Sequence, residues 1–222
     1  MAHQLTAKAI IFDLDGTLID TTPVVIKHWL DFAAEHNLDG EKILAMSHGR
    51  RTIETISAWV PEKATNEMVD YYERKLAMET EGVSILPGVE ELIKNIPAGR
   101  YGIYTSGTQF MAESRLKQCH MVIPEVMCTG DKIIQGKPFP EGYLIAAKGL
   151  GTDPKDCVVF EDAPAGVKAA IAGGMKCIAC TTTHSVEELR EAGATYIVEF
   201  LTDVDVKALS DETMEITIKN TL

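Results

Sequence analysis

Lys8-Ala9-Ile10-Ile11-Phe12-Asp13-Leu14-Asp15-Gly16-Thr17 is a short apolar run broken off by two acids and a glycine. Lys8 to Phe12 reads as a buried strand feeding a loop. Asp13 and Asp15 stand two residues apart at the strand end, so their side chains point the same way. Like charges that close are costly unless a cation or a proton lies between them. Gly16 lets the backbone turn, and Thr17 can hydrogen-bond a carboxylate. An ordinary turn needs no second carboxylate at this spacing.

Downstream, the pattern changes twice. From about residue 22 to 81, apolar side chains recur at helical spacing (Val25, Trp29, Phe32, Ala33, then Ile53, Ile56, Trp59) and no convincing strand interrupts them. The two tryptophans fit a helical core better than a sugar-stacking platform. After Leu86-Pro87-Gly88 the chain alternates. Strands are expected at 101–105, 125–128, 157–160, 176–180 and 196–198, with helices near 89–96, 110–119, 141–149, 165–172 and 186–192. The tail 213–219 alternates like an edge strand. Strands separated by helices of this length imply a parallel sheet covered on both faces. The expected architecture is therefore a doubly wound, Rossmann-like α/β core (1–18 and 85–222) interrupted by an all-helical cap (19–84). Ligands in such sheets collect beyond the carboxyl ends of the strands.

The 222 residues carry a formal net charge of −12. That surface repels polyanions, which argues against nucleic acid or an anionic membrane as a partner. No apolar run approaches the ~20 residues of a membrane span, and the amino-terminal stretch does not read as a signal peptide. The five cysteines are odd in number and irregularly spaced, which fits a reduced, cytoplasmic compartment. Cys177 and Cys180 lie three apart on an expected strand, facing opposite sides, and read as buried thiols rather than a metal pair.

Three further polar clusters follow expected strands. Thr105-Ser106-Gly107-Thr108 puts a hydroxyl at a strand end ahead of a helix start whose free N–H groups suit an anion, a helix N-cap with no ligand being the alternative. In Gln135-Gly136-Lys137-Pro138, Gly136 gives the backbone freedom to aim Lys137, and Pro138 starts the next helix or fixes the loop leading into it. An acidic protein that handles an anion needs such a fixed positive charge. Glu161-Asp162-Ala163-Pro164 ends the buried run Cys157–Phe160 with two acids, a pattern that suits a hard cation; helix capping by Asp162 is the alternative.

DLDGT, TSGT, QGKP and FEDAPAG, in this order and spacing, resemble the four motifs of the haloacid dehalogenase-like hydrolase superfamily over essentially the whole chain. The fragments SHGRRT, YTSGT, GKPFPEGYL and VVFEDAPAGV look most like its fungal glycerol-phosphate and 2-deoxyglucose-6-phosphate phosphatases, with bacterial broad-specificity sugar phosphatases close in pattern. The resemblance implies a Mg²⁺-dependent phosphatase acting on a small sugar or polyol phosphate through an aspartyl-phosphate. It implies Asp13 as nucleophile, Asp15 as general acid and base, and Thr105, the Ser106 N–H and Lys137 around the phosphate. Mg²⁺ would take Asp13, the carbonyl of Asp15 and Asp162, with Glu161 as a ligand or as an acid behind the ligands.

The cap would close over the site, with His48 and Arg51 of Ser47–Thr52 contacting substrate. Asp20, Asp131 and His184 read as loop residues. A monomer is expected. Two other readings remain open at this point: a phosphomutase with the same core residues, and a non-catalytic protein that binds a phosphorylated metabolite.

Overall fold

The computed structural model describes residues 2–209 and 213–222. In chain order its elements are β1 (His3–Ala7), β2 (Ala9–Phe12), β3 (Ile19–Asp20), α1 (Thr22–His36), α2 (Gly40–Ser47), α3 (Thr52–Trp59), α4 (Asn66–Met78), β4 (Ser84–Ile85), α5 (Val89–Lys94), β5 (Tyr101–Tyr104), α6 (Gln109–Gln118), β6 (Met127–Cys128), α7 (Glu141–Gly149), β7 (Cys157–Glu161), α8 (Pro164–Ala172), β8 (Lys176–Cys180), α9 (Val186–Glu191), β9 (Tyr196–Val198), β10 (Val204–Ala208) and β11 (Met214–Ile218).

Six strands form a parallel sheet in the order β6-β5-β2-β7-β8-β9. Every residue of β2 and β7 is buried, as a sheet with both faces covered requires. Alternate residues serve opposite cores: Ile10, Phe12, Val158, Phe160 and Ile178 pack into one, Ala9, Ile11, Cys157, Val159 and Ala179 into the other. Cys180 joins the first and Cys177 the second, so the two thiols face away from each other as their spacing implies. Phe12 stacks on Phe160 at 5.1 Å between ring centroids. Truncating either buried ring to alanine costs about 3–5 kcal/mol. Strand order reverses at β2, which lies between β5 and β7. A ligand site is therefore favoured at the carboxyl ends of these three strands.

The carboxyl-terminal segment departs from expectation. β11 is not an edge but the middle strand of a small antiparallel sheet, β1-β11-β10. Leu5 and Ala7, Val204 and Val206, and Met214, Ile216 and Ile218 line its one buried face and extend the first core. β1 was hidden because His3, Gln4 and Thr6 are exposed and only its inward residues are apolar.

Between β3 and β4, helices α1 to α4 enclose a core of their own around Trp29, Phe32, Ile43, Ile56 and Tyr72, with Trp59 packed at its margin. α1 stops where Asn37 turns left-handed (φ 55°), a conformation asparagine tolerates better than most residues. β3 and β4 pair antiparallel, Ile19 with Ile85 and Asp20 with Ser84, so the chain leaves and rejoins the α/β body side by side. No helix of the described residues is long and apolar enough to cross a membrane.

Candidate active site

The site grows from the loop after β2. The Asp13 N–H donates to the Phe160 carbonyl at 2.9 Å, continuing the ladder to β7, and the residue is 5% exposed. Gly16 then turns with φ +92°, a value side-chain-bearing residues rarely adopt. A Cβ at Gly16 would stand 2.3 Å from Asp162 Oδ2, so only glycine lets the β2 and β7 loops approach this closely. Thr17 Oγ1 donates to Asp162 Oδ1 at 3.0 Å, and the Thr183 hydroxyl, from the loop after β8, donates to Oδ2. Thr182 donates to the Gly16 carbonyl, tying the same loops together.

Lys137 comes from the loop between β6 and α7, where the Lys137–Pro138 peptide is cis and the helix begins only at Glu141. Its side chain is fully buried, and Nζ donates to Asp13 Oδ1 and to Glu161 Oε1. Glu161 Oε1 also accepts from the Tyr143 hydroxyl at 2.9 Å, and Oε2 from the N–H groups of Asp162 and Ala163, both at 2.8 Å. Protein donors thus take up the accepting capacity of Glu161. It serves as the buried counter-charge that fixes Lys137. Asp13 Oδ2, by contrast, accepts no hydrogen bond among the described residues.

One carboxylate oxygen from each of Asp13, Glu161 and Asp162 lies within 4.8 Å of the others, a buried acidic cluster that can hold a divalent cation. Its electrostatics fit that use. Burial pushes Asp13 well above the usual carboxylate range and Asp162 up to about 7, with the neighbouring Glu161 charge adding to both. For Lys137, burial alone would favour the neutral amine, but Asp13 and Glu161 outweigh it and hold the ammonium above the ordinary lysine value. One ammonium does not balance three acids. Oxygen donors with surplus negative charge are what hard cations take.

Asp15 sits above this floor. Its Oδ1 accepts from the Thr21 hydroxyl at 3.0 Å and its Oδ2 from Thr105 at 3.4 Å. Thr105 directly follows β5, its N–H donating to the Cys128 carbonyl of β6 at 3.1 Å. The helix start after it is present, but protein acids occupy it. Glu73, from α4, accepts from the Thr108 N–H at 2.9 Å and from its hydroxyl at 2.5 Å; Asp131 accepts from the Gln109 N–H at 3.1 Å.

A cavity of about 100 Å³ lies between the α/β body and the helices. Asp13, Asp15, Thr105 and Ser106 line it from below; Val25, His28, Trp29, His48 and Glu73 line it from the helical side. His48 is therefore at the cavity. Arg51 is not. Its guanidinium pairs with Glu54 (2.6 and 2.8 Å) and donates to the carbonyls of Gly130, Ile133 and Ile134. With those donors engaged, it latches the helices to the body instead of reaching substrate. Ser106 Oγ adds a bond to the Gly49 carbonyl at 2.8 Å, and buried Arg115 of α6 donates to the carbonyls of Leu76 and Glu79 at the end of α4.

Several contributors escaped the sequence reading. Thr21, Glu73, Tyr143 and Thr183 sit on helices or loops whose aim only the folded chain reveals. His184, read as a loop residue, packs its ring beside Asp162, with Nδ1 3.2 Å from the Asp162 carbonyl. Asp131 likewise does more than fill a loop. The one usable signal was Thr182-Thr183, hydroxyls directly after a strand of the same sheet.

Comparison with known proteins agrees with this geometry. The family model of haloacid dehalogenase-like hydrolases matches residues 10–180. Hexitol phosphatase A of Escherichia coli is 37% identical over 192 residues, 84% of this chain and 89% of that protein. Glycerol-1-phosphate phosphohydrolase 2 of Saccharomyces cerevisiae is 34% identical over 225 residues, 96% and 90% respectively. A hydrolase from Pseudomonas syringae superposes with a TM-score of 0.77 at 25% identity, covering 89% of this chain and 95% of its own. With the acidic motifs converging at the strand ends and this match running through all of them, the chain belongs to the haloacid dehalogenase-like hydrolases.

Proposed function

We propose that this enzyme hydrolyses small sugar or polyol phosphate monoesters, with Mg²⁺, by passing the phosphoryl group through Asp13. In the first half-reaction Asp13 Oδ2 attacks phosphorus, the bond from phosphorus to the alcohol oxygen breaks, and Asp15 gives that oxygen its proton. In the second, Asp15 takes a proton from water as the water oxygen attacks phosphorus, releasing inorganic phosphate and restoring the Asp13 carboxylate. Dividing the displacement in this way replaces one hard step with two easier ones. Proton transfer by Asp15 contributes roughly 10²–10⁴-fold.

Most of the remaining work is positioning and charge. Lys137 holds Asp13 Oδ1 and sets a positive charge beside the phosphoryl oxygens, while the Thr105 hydroxyl and Ser106 N–H donate to them. Thr21 steadies Asp15 at Oδ1, and phosphate takes over the single Thr105 proton that otherwise goes to Asp15 Oδ2. Asp13, Asp162 and the Asp15 carbonyl would hold Mg²⁺, which supplies charge that keeps Asp13 ionised and offsets the repulsion between carboxylate and phosphate. Glu161 keeps Lys137 in place.

The observation that carries this reading is the buried Asp13–Lys137–Glu161 arrangement beside Asp162, under a cavity. The polyol phosphatases among the relatives support the substrate class. The test is a phosphate-release screen over polyol and sugar phosphates, with Mg²⁺ and with a chelator. Metal-dependent release of inorganic phosphate is expected. Release from none of them rejects the proposal, and an isomeric sugar phosphate without free phosphate would mark a mutase.

A further inference from the structure

Three buried side-chain polar atoms among the described residues have no hydrogen-bond partner: Thr55 Oγ1, Tyr104 OH and His28 Nε2. Buried polar groups in folded proteins are nearly always partnered, so each orphan needs an explanation. Only His28 also lines the cavity over Asp13 and Asp15. It lies on α1, two turns beyond Thr21, and is 7% exposed. Its ring stands edge-on to Trp29 at 4.9 Å and to Tyr72 at 5.9 Å. Tyr72 offers it no hydrogen bond, since that hydroxyl is engaged by Glu35 and His36.

A phenylalanine would fill an aromatic nest without leaving a nitrogen unpaired. The histidine costs stability unless something polar reaches it. The nitrogen is buried without a partner in the protein, and the cavity that His28 lines is where a polar group of an occupant can reach that side chain. The occupant's phosphate belongs at the floor, beside Lys137. What reaches the helical wall is the alcohol half.

We propose that His28 is a specificity-determining residue that hydrogen-bonds a hydroxyl of the leaving alcohol, selecting polyol phosphates over deoxygenated ones of the same length. The proposal rests on the phosphatase reading for its substrate class. Burial, with Lys75 and Lys27 nearby outweighing Asp31, lowers His28 to about 4. The imidazole is neutral at working pH, offering one donor and one acceptor, which match a hydroxyl and give no attraction for phosphate itself. A site built to bond a hydroxyl rejects the analogue that lacks it because the protein's own polar atom is then left unpaired.

The test separates binding from turnover. In Asp13→Asn protein with Mg²⁺, calorimetry compares glycerol 3-phosphate with n-propyl phosphate, its dideoxy analogue. The parent should prefer glycerol 3-phosphate by about tenfold or more, and adding His28→Phe should abolish that preference, a net hydrogen bond being worth about one decade. His28→Leu should do the same and serves should the phenylalanine variant not fold. The phenylalanine variant should melt no lower than its parent, because it removes an unpaired nitrogen. A preference that is absent in the parent, or survives in both variants, overturns the inference; a lower melting point with unchanged preference would mark His28 as packing alone. Phosphate release by the unaltered enzyme is followed in parallel. Failure there rejects the hydrolase reading, while the binding ratio still decides the role of His28.

Discussion

Gly16→Ala tests the joint between the β2 and β7 loops. The new methyl carbon would fall 2.3 Å from Asp162 Oδ2 and 2.7 Å from its Cγ, with Thr183 Cγ2 at 3.0 Å. Contacts under about 3 Å are not sustained, and Thr17 and Thr183 grip the carboxylate, so Asp162 must shift by about 1 Å and break at least one of those bonds. Displacements of that size in a catalytic constellation cost on the order of 10²-fold. The backbone adds its own penalty, because alanine at φ +92° is strained by roughly 1–3 kcal/mol. The variant should therefore show both a lower urea midpoint and a kcat/KM reduced by about 10²-fold, with half-saturation moved to higher Mg²⁺. Steady-state phosphate release titrated with Mg²⁺, beside urea unfolding followed by circular dichroism, measures all three. A folded variant with unchanged kcat/KM and unchanged Mg²⁺ dependence would refute the claim that Gly16 is there to admit Asp162.

Asp13→Asn should abolish turnover, measured by phosphate release, while circular dichroism stays native, since the replacement is nearly isosteric; substantial residual turnover would overturn the covalent scheme. Burial raises Asp162 from 3.8 to about 7 and Asp13 well above its usual range, so the folded metal-free protein keeps protons that the unfolded chain has already released. Stability of chelator-treated protein should then fall as pH rises from about 4 towards 7. Urea midpoints between pH 5 and 8 should show this, flattened by Asp162→Asn and reversed by Mg²⁺. Arg51→Ala removes the latch onto the 130–134 carbonyls, and should raise KM by roughly 3- to 30-fold while changing kcat less, because closure takes a share of binding energy. Equal loss in kcat and kcat/KM would instead put Arg51 at the reacting group.

The parallel core was legible because its strands are continuous apolar runs, and the acids follow them directly: Asp13 and Asp15 after β2, Glu161 and Asp162 at β7. Local order sufficed there. It failed wherever partners come from distant chain. β1 pairs with β11 across more than 200 residues, and three of its five side chains are polar and exposed, so only its partner makes it recognisable. Arg51 sits in a suggestive motif, yet Glu54 one turn along and three carbonyls from another loop redirect it. Glu161 reads like Asp162 in sequence. Two N–H groups, a phenol and an ammonium distinguish them in space. His28 and Glu73 carried no signal, because a helix gives every polar residue the same bland context until its neighbours are known.

The ribbon of β3 and β4 bears on how such enzymes diversify. Its crossings pair residue for residue, so the departing and returning chain are separated only by the spacing of neighbouring strands, about 5 Å. Any replacement segment whose ends meet that narrow stance can be grafted without moving Asp13, Lys137 or Asp162, and extra length adds little closure entropy. Descendants of this chain can exchange the helical wall of the cavity provided the incoming segment again gives Asp15 the bond that Thr21 makes.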